Sequence, residues 1–265
     1  MVDKIHDARE YIKNQKPIIH CITNPISING CANAILSFGA KPIMAEHPRE
    51  VAEITETAHA LMLNTGNITD ARIESILLSL KKATDHHTPS LLDVVGIACS
   101  SFRREYVLNL LKESIPSVIK GNYSEIAALQ DLEYSSPGVD ADLSLDELYI
   151  EKTATTLAQK YHTVILATGK TDIITDGKRI VYVNNGTGQL SCVTGTGCML
   201  GALCTAFMAV LAPMDSAVSA CVYFGICGEL TETDNGNGSF MVNLIDKIST
   251  LKKEEISKFI KMEEK

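Results

Sequence analysis

No pair of cysteines in this sequence has the CxxC spacing, although eight cysteines are present. A zinc knuckle or a thioredoxin-type redox site needs that spacing, so neither is expected. No HExxH or other metal-ligand spacing of histidines occurs. Excess positive charge is missing too: 24 Lys and Arg face 32 Asp and Glu, a formal net charge of −8. A nucleic-acid partner, which calls for a basic surface, is therefore not expected. The one dense lysine segment, residues 252–265, is interleaved with Glu254, Glu255, Glu263 and Glu264 and reads as a solvated helix face. No apolar run is long enough to span a membrane; the nearest approach, residues 198–211, is too short. Residues 1–10 are polar and lack the apolar region of a secretory leader. The cysteines are accordingly expected to be reduced thiols in the cytoplasm, most of them small core residues.

What is present is an ordinary globular balance, 45% hydrophobic and 21% charged over 265 residues. That length suits one large α/β domain or two small ones, and it can bury a sizeable core without disulfides. Short apolar runs alternate with amphipathic segments. Strands are expected at residues 17–22, 41–44, 60–63, 90–95, 117–119 and 163–167. Helices are expected at 27–38 (stopped by Gly39), 49–57, 69–83, 102–113 with Ser101 as N-cap, 124–129 capped by Asn122, and 144–160 after a loop with Pro137 and Gly138. Residues 172–175 and 179–183 flank Asp176-Gly177, a hairpin signal, and helices run from there to the end. This alternation predicts a mainly parallel sheet covered by helices on both faces, with an antiparallel hairpin at one edge. No linker, repeat or low-complexity tract divides residues 1–265, so a single domain is expected.

In open α/β sheets ligands bind beyond the carboxyl ends of the strands. Those ends carry Thr23-Asn24, Met44, Asn64-Thr65-Gly66, Asp93 with Gly96, Lys120-Gly121-Asn122 and Thr168-Gly169. Later in the chain, Thr194-Gly195-Thr196-Gly197-Cys198 opens a segment of small apolar residues. A Gly-x-Gly turn at a helix N-terminus exposes backbone N–H groups, and the helix dipole adds positive potential. Such a turn can stabilise charge on a transferring phosphoryl group. Read alone, it fits equally an anion hole or a turn that lets a helix pack closely. Asp93 and Glu125 are carboxylates that could organise Mg²⁺, often through water. Read alone, Asp93 fits equally a metal site or a loop carboxylate, whereas Glu125 reads first as a first-turn glutamate favoured by the dipole and Lys120 as a solvated surface lysine. Cys198 sits where a helix terminus is expected to lower a thiol's pKa. His20 reads as a buried, hydrogen-bonded histidine, and His86-His87 as a helix surface. Gly169-Lys170-Thr171 is not a P-loop, since Val164 stands where the first glycine is required. Gly195-x-Gly197 is not a dinucleotide fingerprint, since position 200 is Leu and the motif lies far from the first strand.

Further segments carry a resemblance through most of the chain. They are His20-Cys21-Ile22-Thr23-Asn24, Ala32-Asn33, Gly39-Ala40-Lys41-Pro42-Ile43-Met44-Ala45, Leu63-Asn64-Thr65-Gly66 and Asp93-Val94-Val95-Gly96. Ser101-Phe102-Arg103, Ile119-Lys120-Gly121-Asn122-Tyr123-Ser124-Glu125-Ile126, Ala167-Thr168-Gly169, the turn ending in Cys198, and Gly238-Ser239-Phe240 complete the set. Together they resemble hydroxyethylthiazole kinases, thiamine-salvage enzymes of the ribokinase-like superfamily. The cysteine at 198 is distinctive, because most ribokinase-like kinases have aspartate there.

The resemblance implies an ATP-dependent kinase acting on the hydroxyethyl group of a thiazole alcohol, with Mg²⁺ as cofactor and ATP as co-substrate. It implies that Gly195, Thr196, Gly197 and Cys198 are catalytic and that Asn24, Met44, Gly66 and Gly195 bind the thiazole. Lys120, Asn122, Thr168, Gly169 and Thr194 would bind ATP, and Asp93 and Glu125 the metal. It further implies a homotrimer with active sites between subunits, so that Asn24 and Met44 serve a shared site. Three positions depart from the family: Val94 replaces a usual proline, Lys120 a frequent arginine, and Thr196 a frequent alanine. Lysine keeps the charge but loses the bidentate fork. A hydroxymethylpyrimidine kinase or an ATP-dependent dehydratase of damaged nicotinamide cofactors would share the fold, but Cys198 and the Asn24 and Met44 segments argue against both. A nonenzymatic thiazole sensor would have no use for Asp93, Glu125 and the 195–197 turn.

Overall fold

The structure, a computed structural model, describes residues 1–131, 134 and 146–265. Nine strands form one sheet: β1 (Ile18–Ile22), β2 (Lys41–Ile43), β3 (Ala60–Asn64), β4 (Ser90–Asp93), β5 (Val118–Asn122), β6 (Val164–Thr168), β7 (Asp172–Thr175), β8 (Ile180–Val183) and β9 (Met262–Glu264). Their spatial order is β2-β1-β3-β4-β5-β6-β7-β8-β9. The first six pair in parallel and β7 to β9 antiparallel. Parallel strands covered on both faces read as continuous apolar runs, which is why β3 is Ala60-Leu61-Met62-Leu63 before its polar end.

Alternation within each run sorts side chains to two cores. Cys21, Met62, Leu91, Val118 and Leu166 face one, built with α1 (Val2–Gln15), α2 (Ile28–Phe38), α8 (Thr196–Met208), α9 (Pro213–Thr231), α10 (Asn237–Thr250) and α11 (Lys253–Phe259). Ile22, Leu61, Leu63, Leu92, Ile119, Ile165 and Ala167 face the other, under α3 (Val51–Thr57), α4 (Asp70–Asp85), α5 (Ser101–Glu113), α6 (Tyr123–Gln130) and α7 (Glu147–Tyr161). Helix α8 lies against β3 and β4 and packs on α2 and α9. Its apolar residues all round, with room at Gly201 for little more than a hydrogen beside Met62, reflect that central burial.

Several expectations need correction. Helix α1 was not foreseen: its buried apolar residues, Ile5, Ala8 and Ile12, are separated by polar ones. Its Arg9 is buried because the guanidinium donates to the carbonyls of Ile248, Ser249 and Leu251. The C-terminal lysine-rich stretch is not all helix. Lys253–Phe259 forms α11, and Met262–Glu264 then pairs with β8, so β9 and not the hairpin is the sheet edge. Charged residues on such a short edge strand deter further pairing. Strand β4 ends at Asp93, and the N-cap of α5 is Ser100, one residue before the expected Ser101. His86 caps α4 and His87 adopts φ 56°, so the pair forms a turn and not a helix surface. The hairpin turn is longer than two residues: Thr175 pairs with Ile180, and the Asp176 carboxylate accepts the N–H groups of Lys178 and Arg179. Pro137, Gly138 and Ser144 lie outside the described residues; α7 is seen from Glu147, with Asp146 as N-cap.

Candidate active site

The polar ends of neighbouring strands stand in register. Asn64 on β3 pairs with Asp93 on β4, and Asp93 with Lys120 on β5. Each lies two residues beyond a side chain of the α8-side core, namely Met62, Leu91 and Val118. The period-2 alternation of strands therefore points all three side chains at the start of α8. A buried polar row results, with relative exposures of 1% for Asn64, 1% for Asp93 and 4% for Lys120.

Asn64 joins that row together. Its Nδ2 donates to Asp93 Oδ2 at 3.1 Å and to Cys198 Sγ at 3.4 Å. Its Oδ1 accepts from the Gly66 N–H at 2.8 Å and from Asn24 Nδ2 at 3.1 Å. Asn24 is oriented in turn by the N–H groups of Ile26 and Ser27, both on its Oδ1, which leaves Nδ2 free to approach Cys198 Sγ at 3.6 Å. At the row's other end Lys120 Nζ donates to Asp93 Oδ1 at 3.0 Å.

Gly195 is the N-cap of α8, with φ 88°, a left-handed conformation that a side chain would strain. No side chain caps the helix, and Met199 N–H to Gly195 O is its first backbone bond. The N–H groups of Thr196, Gly197 and Cys198 thus make no hydrogen bond among the described residues and are available to an anion. The Thr196 hydroxyl is committed to the loop before it, donating towards Leu190 O and Val193 O. A Cβ on Gly197 would meet only Lys120 Nζ, at 3.9 Å, so the ammonium faces this turn.

A cleft of about 630 Å³ opens over the row. It is lined by Asn24, Gly66, Asp93, Lys120, Asn122, Glu125, Thr168, Thr194, Gly195, Thr196, Gly197 and Cys198. That size suits a small-molecule site. Two expected residues are not part of this lining. Met44 packs partly buried against the α8-side core. Gly169 is exposed, its N–H donating to Asp172 Oδ1 at 3.1 Å, and a Cβ there would strike the Tyr123 ring at 2.7 Å. Sequence reasoning passed over Ile26, Ser27, Asn67, Val95 and Arg103, which also line the cleft. Asn64 was visible as a polar strand end but not as the junction. For Arg103 the one signal was its place in the Ser101-Phe102-Arg103 segment.

Charge is arranged unusually. Burial works against the charge on Lys120, but Asp93, Cys198 and Glu125 outweigh it and hold the ammonium above its ordinary value. Burial pushes Asp93 up, with Lys120 and the Asn64 amide opposing. Glu125 is pushed to about 7 by burial and by Asp93. Its Oε1 accepts the Gly96 N–H and its Oε2 the Asn122 N–H, while Asn122 Oδ1 accepts the Glu125 N–H, completing a capping box. Asp172, behind Gly169, rises to about 6 through burial. The expected lowering of Cys198 is not found: burial pushes the thiol up and Asp93 adds to it, outweighing Lys120 and the Asn24 donor. His20 is the structural histidine expected, its Nε2 donating to Ala45 O and its Nδ1 paired with the Thr55 hydroxyl.

Every oxygen of Asp93 and Glu125 already has a protein donor. Among the described residues no three His, Cys, Asp or Glu side chains gather as a ligand cage. The pair therefore fits an ion held mainly by water and phosphate oxygens, the usual manner of Mg²⁺, and does not fit a tight all-protein site.

A family model described as the hydroxyethylthiazole kinase family matches residues 10–254. The chain is 42% identical over 259 residues to hydroxyethylthiazole kinase 2 of Clostridium botulinum, spanning 96% of this chain and 98% of that protein. Over 261 residues it is 39% identical to the hydroxyethylthiazole kinase of Finegoldia magna, spanning 98% and 96%. A solved hydroxyethylthiazole kinase protein from Pyrococcus horikoshii is similar at a TM-score of 0.90 and 33% identity, over 98% of both chains. Pyridoxal kinase from Staphylococcus aureus, solved with ADP, is similar at a TM-score of 0.67 and 14% identity, over 94% of this chain and 98% of that one, a likeness of fold alone.

Proposed function

This chain belongs to the hydroxyethylthiazole kinase family, and from that premise we propose that its cleft transfers the terminal phosphoryl group of ATP to the hydroxyethyl oxygen of hydroxyethylthiazole, in thiamine salvage. One observation carries the reading: an uncapped helix N-terminus at Gly195 to Cys198 meets a buried Asn64–Asp93–Lys120 row at the floor of an open cleft. Phosphoryl transfer asks for positioning and charge stabilisation more than for covalent help. The N–H groups of Thr196, Gly197 and Cys198, reinforced by the α8 dipole, receive charge developing on the transferring group. Asn122, Thr168 and Thr194 are the nucleotide side of the cleft, and Lys120 adds positive potential while paired to Asp93.

The thiazole alcohol lies at Asn24, Gly66 and Gly195, its hydroxyl beside Cys198. Because burial keeps Cys198 a neutral thiol at physiological pH, the side chain orients the hydroxyl and does not serve as a strong base. In a loose transition state the alcohol loses its proton late, so that proton passes to solvent as the monophosphate and ADP form. Asp93 and Glu125 would hold Mg²⁺ through water, and the ion would supply charge neutralisation on the phosphate chain.

Met44, away from its own cleft, fits a trimer in which it reaches a neighbour's thiazole site. Ile26 at the cleft rim is 62% exposed, as a residue completed by another subunit would be. The eight free cysteines agree with a reducing cytoplasm, and we read residues 1–265 as one kinase domain. A coupled ADP-release assay with hydroxyethylthiazole, hydroxymethylpyrimidine or no acceptor tests the activity. Thiazole-dependent ADP release is expected; release with the pyrimidine alone, or equal release without acceptor, overturns the reading. Sedimentation equilibrium at three times the monomer mass checks the trimer.

A further inference from the structure

Arginines that are drawn into this protein are anchored. Arg9 donates to three backbone carbonyls. Arg72 donates to Gly66 O and Asn67 O and pairs with Glu46. Arg104 donates to Ile97 O and Tyr134 O. Arg103, the residue before it, is half-buried and lines the cleft beside Lys120, Asn122 and Glu125. Yet its guanidinium makes no ion pair and no hydrogen bond among the described residues; only its backbone N–H is used, capped by Ser100 Oγ at 3.3 Å.

Its position is locally unfavourable as well. Arg103 lies in the first turn of α5, where the helix dipole repels a cation, and no acidic residue occupies that turn to offset it. Space has nevertheless been made for the side chain. A Cβ at Gly96 would stand 2.1 Å from Arg103 Nη1, and Gly96 has φ 82°, a conformation suited to glycine. Gly96 is itself held by its N–H bond to Glu125 Oε1 at 2.7 Å. That bond and the one from Asn122 occupy the carboxylate, so Glu125 is not the partner of Arg103. Lys120, the other cation lining the cleft, is committed to Asp93. A planar cation placed at a cost, left unpaired and given room over a glycine is shaped for an incoming planar set of anionic oxygens.

We propose that Arg103 is the guanidinium that binds the phosphate chain of the nucleotide, supplying the forked contact that Lys120 cannot. The assignment rests on the nucleotide-dependent transfer argued above. It makes Arg103 a contact residue for the co-substrate, and Gly96 a positioning residue that keeps the space open.

The test is calorimetric titration of the full-length wild-type, Arg103→Met and Arg103→Lys proteins with ADP and, separately, with adenosine. Thermal unfolding and thiazole-dependent ADP release are measured on the same preparations. Loss of a charge-assisted contact is expected to weaken ADP binding roughly 10- to 100-fold in Arg103→Met, with adenosine affinity and melting temperature unchanged. Arg103→Lys falls between, since it keeps charge but not the fork. The KM for ATP in Arg103→Met should rise by a similar factor. ADP affinity within twofold of wild type overturns the assignment while leaving the kinase reading intact. Equal weakening of ADP and adenosine, or a lowered melting temperature, also overturns it, because either marks a merely structural side chain. Absence of thiazole-dependent turnover in the wild type removes the kinase reading, whereas the ADP difference between variants is read independently of any acceptor.

Discussion

Replacing Lys120 with methionine isolates the energetics on which the site depends. Lys120 Nζ and Asp93 Oδ1 are 3.0 Å apart, with side-chain exposures of 4% and 1%. At an effective dielectric of about 20 the attraction across that distance is about 5.5 kcal/mol, before the cost of desolvating both charges. Removing one partner leaves the other buried without compensation, which costs about 3–5 kcal/mol. At about 2–4 °C per kcal/mol for a chain of this size, the melting temperature should fall by roughly 6–20 °C. The loss has a defined pH dependence. Burial already raises Asp93 against the pull of Lys120, so without the lysine it rises further. An acid raised on folding contributes stability that is complete below its unfolded value and lost as pH climbs through its folded value. The deficit of Lys120→Met should therefore be small near about pH 5 and large near about pH 8. The chain has no tryptophan, so urea unfolding is best followed by far-ultraviolet circular dichroism. Asp93→Asn added to Lys120→Met should recover part of the loss, because it removes the stranded charge. A deficit below about 1 kcal/mol at the alkaline end, or one that does not vary with pH, would refute a desolvated pair.

Gly197→Val should fold with a melting temperature near wild type, since a Cβ there meets only Lys120 Nζ at 3.9 Å; steady-state kinetics should show kcat/KM reduced by at least about 100-fold, the scale of losing an oxyanion donor, and normal kinetics would remove the anion hole. Cys198→Asp should keep or raise turnover, because burial makes the native thiol a poor base and the Asn24 and Asn64 amides can donate equally to a carboxylate; complete inactivity in a folded variant would show a specific need for the thiol. Glu125 rises from 4.5 to about 7 on folding, a shift of roughly 3 kcal/mol. Its stabilising contribution is complete below the unfolded value and disappears as pH rises towards 7. Urea unfolding of Glu125→Gln should lack that slope; identical slopes in the two proteins would place Glu125 in solvent.

Order in the sheet was legible because hydrophobic alternation and strand-end polarity report the same fact twice. A run such as Ala60-Leu61-Met62-Leu63-Asn64 announces a strand covered on both sides and then a rim residue. What escaped notice depended on contacts distant in the chain. Helix α1 is held through Arg9, whose partners are 239 to 242 residues away. Strand β9 exists only because β8 offers an edge to a charged tripeptide of no strong β character. Burial at Cys198 reversed the expected effect of the helix terminus, since desolvation depends on how α8 packs against β3 and β4. Met44 lies outside the cleft lining for a similar reason: it follows the edge strand β2, and where that edge packs is not written in the local pattern.

The site and the core are consecutive layers of one pleat. On β3, β4 and β5 the same face carries Met62, Leu91 and Val118 one step before Asn64, Asp93 and Lys120. Helix α8 covers both layers: Met199, Ala202, Leu203 and Ala206 join the apolar one, while its uncapped first turn meets the polar one. The distance from the helix N–H groups to the polar row is therefore governed by apolar packing a few ångströms below, which is close-packed and resists compression. A thiol is tolerated at the third helical position because the row needs a small donor-accepting side chain there and draws its charge from Asp93 and Lys120 instead. It follows that enlarging Gly201 to alanine, whose Cβ would press on Met62 Cε at 3.0 Å while only reaching ordinary contact with Lys120 Cδ at 3.6 Å, acts on the apolar layer beneath Asn64 and should lower kcat in steady-state kinetics without entering the cleft at all.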